Sequence, residues 1–313
     1  MSTPAVVVNS LIKRYGKTTA LAGVSFTVAP GELFGLVGPD GAGKTSLFHV
    51  LTTLRAPDAG SATVLGLDVL NDLWAIRRRV GYMPGRFALY ADLSVEENLR
   101  FFASVFGTTL EAGYEMIAPI YSQIERFKHR RAGALSGGMK QKLALSCALV
   151  HRPDILLLDE PTTGVDAVSR REFWDLLAHL RSTGLTIMAS TPYMDEAARC
   201  DRVALIQGGH LLAIEAPAAI GTLFPRTLFA VQAKDRLPLL HALRAYPHLA
   251  SVYPFGETAH VSDRRAGIAP AQALADLTAY LGATHIDDVV VREIVPGIED
   301  TFMELMCQPA AAA

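Results

Sequence analysis

Eight residues, Gly38-Pro39-Asp40-Gly41-Ala42-Gly43-Lys44-Thr45, constrain the fold of this chain more than any other stretch. They follow a short apolar run, Glu32 to Val37, and open a helix-compatible stretch from Lys44 to Leu54, giving the order strand, loop, helix. The spacing G-x-x-x-x-G-K-[ST] is that of a phosphate-binding loop. Glycines are needed there because successive backbone N–H groups turn inward around phosphate oxygens, where a Cβ would obstruct them. On this reading Lys44 reaches the β- and γ-phosphates of a nucleotide and the Thr45 hydroxyl ligates Mg²⁺.

A second constellation complements the first. Ile155-Leu156-Leu157-Leu158 has the length and composition of a buried parallel strand and ends in Asp159-Glu160. Open α/β sheets bind ligands at the carboxyl ends of their strands, where these two carboxylates arrive. Asp159 is expected in the Mg²⁺ shell, and Glu160 is the candidate catalytic base that orients and deprotonates an attacking water. Further strands are expected at Ala5 to Val8, Val24 to Val28, Leu185 to Ser190 and Val203 to Ile206. Ser94-Val95-Glu96-Glu97 matches a capping box at the start of a helical stretch running to about Arg131.

Composition narrows the classes. Half of the 313 residues are hydrophobic and 19% are charged, which excludes a disordered chain. The apolar stretches Thr18 to Gly31, Ser182 to Met194 and Val203 to Ile214 are too short or too interrupted to span a bilayer, and no signal peptide is expected to begin at Met1 to Ala5. A formal charge of −2 provides no global field for nucleic acid, so Arg77-Arg78-Arg79 and Lys128-His129-Arg130-Arg131 read as solvated helix faces. Cys147, Cys200 and Cys307 lack metal-ligand spacing and read as thiols of a reducing compartment.

Leu135-Ser136-Gly137-Gly138-Met139 then identifies the class, because it resembles the signature of the ABC ATPases. The resemblance covers about Val6 to Ile214. It implies an α/β fold, a P-loop NTPase of ABC type with a RecA-like core, an antiparallel β subdomain and a helical signature subdomain. It also implies ATP and Mg as cofactors, with ATP bound by Gly38 to Ser46. In that family two ATPase domains pack head to tail, and the signature of one, here Leu135 to Met139, closes over the ATP held by the other. Pro161 to Asp166 resembles the D-loop, with Asp166 as its acid, and Tyr15 stands where an aromatic ring stacks on adenine. Gly81-Tyr82-Met83-Pro84, Leu89 to Leu99, Thr191 to Ala197 and Val295 to Phe302 look like the bacterial drug-exporter branch. That branch implies integral membrane permease subunits as partners, no nucleic acid, and a cytoplasmic protein held at the inner face of the cell membrane through the permease.

Two positions depart from the family pattern. After Gly-Tyr-Met-Pro the family carries a glutamine that contacts Mg²⁺ and the attacking water and links the helical subdomain to the membrane partner; this chain has Gly85. After Ser-Thr it carries a histidine that hydrogen-bonds the γ-phosphate; this chain has Pro192, which offers no donor. Nucleotide binding is expected to survive and hydrolysis to suffer. A heterodimer with an intact second ATPase is therefore favoured over a homodimer, with this chain the weaker catalytic half. The alternative is an ABC-type regulatory or scaffold protein that clamps on ATP without transport.

Beyond the ATPase unit, expected over residues 1–220, Ala216 to Pro225 reads as a linker rich in Ala, Gly and Pro. It is followed over 226–308 by a small α+β domain with the ferredoxin-like order β-α-β-β-α-β: Leu228 to Gln232, Pro238 to Ala245, Ser251 to Pro254, Ala259 to Ser262, Pro270 to Leu281 and Val289 to Ile294. Pro309 to Ala313 is expected to be a frayed tail.

Overall fold

The computed structural model describes residues 3–86 and 88–307; the expected tail lies outside them. The chain divides into two compact units, Met1–Pro217 and Ala218–Ala313.

The first unit opens with the hairpin β1 (Val6–Tyr15) and β2 (Thr18–Val28). Both strands are longer than their apolar stretches suggest. Ser10, at φ 45°, forms part of an irregularity in register that carries β1 past the polar Asn9-Ser10 pair to Tyr15. Next come β3 (Leu33–Val37), buried at every position, and α1 (Lys44–Leu51). β4 (Ala59–Val64) and β5 (Leu67–Asp68) join the hairpin in an antiparallel sheet of order β2-β1-β4-β5. The short helix α2 (Leu73–Arg79) leads into β6 (Val80–Met83).

The helical segment comprises α3 (Val95–Val105), α4 (Leu110–Tyr121) and α5 (Gly137–Leu149). At the start of α3 the Glu97 backbone N–H donates to Ser94 Oγ at 3.2 Å, and the Ser94 N–H donates to Glu97 Oε2 at 2.7 Å, completing the capping box. Replacing Ser94 by Ala should cost about 1 kcal/mol of stability, read as a shift in the denaturant midpoint with an unchanged slope.

The chain then returns to the main sheet with β7 (Ile155–Leu158), α6 (Ala167–Ser182), β8 (Thr186–Thr191), the one-turn α7 (Met194–Ala197), β9 (Arg202–Gln207) and β10 (His210–Glu215). Sheet order is β10-β9-β3-β8-β7-β6, parallel throughout except for β10. Val37 lies opposite Thr191, and Leu158 opposite both Ala189 and Met83. The carboxyl ends of β3, β8, β7 and β6 therefore line up side by side. Leu36, Phe34, Leu157, Met188 and Ile206 lie in the core beneath them.

The segment expected to be a linker is structured. α8 (Pro217–Ile220) and a 3₁₀ turn at Gly221–Leu223 occupy it, and Ile220 is fully buried. A Cβ on Gly221 would stand 2.2 Å from the Pro296 carbonyl oxygen, so the small residue here permits close backbone packing.

The second unit contains β11 (Leu228–Gln232), α9 (Arg236–Arg244), β12 (Leu249–Phe255), β13 (Thr258–Asp263), α10 (Pro270–Gly282), β14 (Val290–Ile294) and α11 (Ile298–Cys307). Its sheet is antiparallel with order β12-β13-β11-β14. Leu239 and Leu243 of α9, with Ala273, Leu277 and Leu281 of α10, form one core with Phe229, Val231 and Val261. The i, i+4 spacing of these residues places each set on one helix face. Sequence reading did not identify α11 as a helix.

Candidate functional site

Every element of the first constellation converges on the aligned strand ends. The loop after β3 carries Gly41 at φ 78° and Gly43 at φ 109°, backbone geometry open to glycine at little cost. Gly38 and Gly43 are also pressed against neighbouring backbone: a Cβ would lie 2.1 Å from the Ile206 carbonyl oxygen and 2.3 Å from that of Ala20, respectively. The loop is thus held between β9 and β2. Gly38→Ala is expected to lower both the thermal midpoint and ATP affinity, because the clash falls on rigid backbone. A scan and a binding titration on the same preparation check this.

Gly43 caps α1, and the Leu47 N–H closes the first helical bond to its carbonyl at 3.1 Å. Lys44 is 3% exposed. Its Nζ donates to the carbonyl oxygens of Gly38 at 2.7 Å and Pro39 at 2.9 Å, and pairs with Glu160 Oε1 at 2.9 Å. Pro39, Asp40, Ala42, Thr45 and Ser46 complete the loop and the first turn of the helix, and among them Asp40 and Thr45 are exposed.

Asp159, 2% exposed, has its carboxyl pushed up chiefly by burial and further by the charge of Glu160. Hydrogen bonds from Ser190 and Thr45 oppose that shift. Ser190 Oγ donates to Asp159 Oδ1 at 2.8 Å and accepts from the Glu160 N–H at 2.9 Å. Glu160 itself is left-handed at φ 48°, a strained backbone for a non-glycine residue. Ser190 thus fixes both acids, a role that sequence reading missed. Its only signal was a hydroxyl closing an apolar strand.

Gly85 and Pro192 stand at the same strand ends. A Cβ on Gly85 would lie 3.0 Å from the Asp159 carbonyl oxygen and 3.8 Å from Oδ2, so this position faces the acid. Pro192 follows β8, which lies between the loop strand β3 and the acid strand β7. Tyr15 ends β1, 42% exposed, with Lys13 Nζ 5.4 Å from its ring centroid.

The signature forms a separate group. Leu135 is buried and Ser136 caps α5, accepting from the Met139 N–H at 3.4 Å. A Cβ on Gly138 would strike Ser169 Oγ at 2.7 Å, and one on Gly137 would meet the Gly164 carbonyl oxygen at 3.7 Å. Asp166 caps α6 by accepting from Val168 and Ser169 N–H groups, which hold its carboxyl below the usual range. The starts of α5 and α6 are therefore packed together. Among the described residues, no hydrogen bond or ion pair joins Leu135–Met139 to Lys44, Asp159 or Glu160.

Beside Gly85 lies a largely apolar groove of about 960 Å³, with Trp74, Tyr82, Phe102, Phe106 and His151 in its walls. Trp74 is 72% exposed. His151 stacks on Phe106 at 3.7 Å, and burial lowers its pKa. Sequence reading did not single out this groove.

A phosphate loop after the parallel strand β3, an acid pair at the end of β7 two strands away and an intervening helical segment whose last helix is capped by Ser136 define an ATP-binding cassette. Residues 21–163 match the family model for the ABC transporter. The chain is 41% identical over 223 residues to the Nod factor export ATP-binding protein I of Burkholderia orbicola, covering 70% of this chain and 73% of that one. The chain belongs to the ABC transporter family, as an ATP-binding cassette. It is also 37% identical, over 98% of its length, to the probable multidrug ABC transporter ATP-binding protein YbhF of Escherichia coli K12, and spans 53% of that relative. Among solved structures, an ATP-binding subunit of an ABC transporter aligns with a TM-score of 0.64 and 28% identity, covering 71% of this chain and 93% of that one. A cassette dimer with ADP and Pi, at 24% identity and TM-score 0.61, shows the same fold. Among the described residues no helix is long and apolar enough to cross a membrane.

Proposed function

We propose that this chain is the ATP-binding subunit of an ABC-type exporter and the catalytically weaker half of an asymmetric ATPase pair. The observation that carries this reading is the separation of two groups. Lys44, Thr45, Asp159 and Glu160 form one, with no histidine or glutamine side chain at 192 or 85, whereas Ser136, Gly137, Gly138 and Asp166 form an intact second. In a head-to-tail pair the second group completes the partner's site. The first binds ATP and turns it over slowly.

The residues present fit both cofactors. Gly41, with open space where a Cβ would stand, and Gly43, the N-cap of α1, give the loop backbone without side chains of its own at these positions, as a polyphosphate cradle requires. Thr45 and Asp159 offer a hydroxyl and a carboxylate in mutual contact, an oxygen donor set suited to Mg²⁺. When bound, Mg²⁺ would neutralise charge on the phosphate oxygens. Lys44 would exchange Glu160 for phosphate, and the released Glu160 carboxylate would accept a proton from water. The export function follows the relatives, whose names give Nod factor export and a probable multidrug transporter. The groove beside Gly85, with Trp74 standing out of it, is the surface we assign to the membrane permease, since an exposed apolar patch of this kind marks a protein contact. The 218–307 unit serves as an accessory domain.

Nucleotide binding tests the base of this reading. Titrated with a fluorescent ATP analogue and Mg²⁺, the full chain should saturate, and Lys44→Ala should weaken binding at least about 10-fold, as loss of a charge-assisted contact implies. Absence of saturable binding by the unaltered chain would remove the proposal.

A further inference from the structure

Glu196 is 3% exposed, an acid in the interior that none of the roles above uses. Its Oε1 accepts from Thr162 Oγ1 at 2.8 Å and its Oε2 from Thr191 Oγ1 at 2.5 Å. Both threonines are themselves buried. Arg170, in the first turn of α6, places Nε 3.9 Å from Oε1, pairs with Asp195 at 3.3 Å and stacks its guanidinium 4.3 Å from the Tyr193 ring centroid. The Tyr193 N–H donates to Thr191 Oγ1 at 3.0 Å. One carboxylate therefore joins two segments of the nucleotide site: the turn Pro161 to Asp166 that follows Glu160, and the end of β8, which Pro192 follows.

Burying a carboxylate is costly before its hydrogen bonds are counted, and an apolar residue of similar volume would often stabilise the fold equally well. Packing alone does not call for an acid here. A bidentate acceptor, by contrast, sets two hydroxyls at a fixed separation with a geometry no apolar contact supplies. The two segments are tied a second time through Ser190, which receives the Glu160 N–H and precedes Thr191. Adjacent residues of β8 thus fix the start and the middle of the same turn.

We propose that Glu196 is a positioning residue for ATP turnover: through Thr162 and Thr191 it sets the path of the chain from Glu160 to Asp166. The proposal deepens the ATPase reading and rests on it. Because Asp166 lies at the far end of that turn, the same clamp would hold the group this chain presents to its partner.

Thr162→Val keeps the volume and removes one donor, whereas Glu196→Gln keeps the shape and removes the charge. The test uses the full chain in excess over γ-labelled ATP, so that one slow turnover is read per bound nucleotide, alongside equilibrium ATP binding and thermal unfolding. Expected are ATP affinities within about twofold of wild type and a chemical step slowed by about 10- to 10²-fold, the range that small misplacements of reacting groups produce. A purely structural Glu196 would lower the unfolding midpoint and leave the rate per bound ATP unchanged, and that result in both variants would overturn the proposal. If the wild-type chain bound no ATP, the underlying ATPase reading would fall first and the proposal with it.

Discussion

Purified alone, this chain is expected to bind Mg-ATP and hydrolyse it slowly, and Pro192→His is expected to raise its turnover by about 10²-fold. One donor aimed at developing charge in a transition state accounts for roughly 10²- to 10³-fold in rate, about 3 to 4 kcal/mol. Pro192 follows the strand between the phosphate loop and the acid pair, so an imidazole introduced there enters at the level of both. Thr191 and Tyr193 on either side are already fixed by hydrogen bonds, which favours a retained backbone. Gly85→Gln should add less, because its Cβ must be accommodated 3.0 Å from the Asp159 carbonyl oxygen. Steady-state phosphate release by wild type, each single variant and the double variant gives the comparison. Brisk turnover by the wild-type chain, insensitive to either substitution, would contradict the weaker-half assignment.

In the assembled exporter the second large effect should reverse the usual ranking of catalytic residues. On the proposed pairing, Ser136→Ala should reduce turnover by about 10²-fold, since it would strip a hydroxyl from the group proposed to complete the partner's site. Glu160→Gln should matter much less if the site it serves is the slow one, as proposed. Gly138 lies close to Ser169 and Gly137 to Gly164, which places the signature beside the Asp166 turn, so Asp166→Ala should resemble Ser136→Ala. A complex hurt more by Glu160→Gln than by Ser136→Ala would show that this chain's own site carries the turnover.

Much of this arrangement was legible in the sequence because the chemistry is local. The phosphate loop needs its glycines in consecutive backbone positions, the acid pair needs one buried strand, and the capping box needs residues three apart, so each left a contiguous trace. What stayed hidden depends on contacts between distant segments. Ser190 acquires its role from the pairing of β8 with β7, and Glu196 from meeting Thr162 across 34 positions. β4 was missed because Ala59-Gly60-Ser61-Ala62 has little strand propensity; β1 supplies its pairing. The Ala216 to Pro225 stretch does hold the boundary between the two units, yet it is structured, since small residues mark close packing as readily as flexibility, and Gly221 against Pro296 is the former. Helix α11 was overlooked beyond the last strand, although Asp300, near its start, accepts from the Gly297 N–H at 2.9 Å.

Whether this chain supplies half of an asymmetric exporter ATPase is decided by isolating the full chain from membranes in mild detergent and identifying what comes with it. An integral membrane permease is expected, together with a second ATP-binding subunit carrying glutamine and histidine at the positions equivalent to Gly85 and Pro192. Recovery of the chain with copies of itself alone, in an ATP-dependent dimer without a membrane protein, would contradict it and favour an ATP-clamped scaffold.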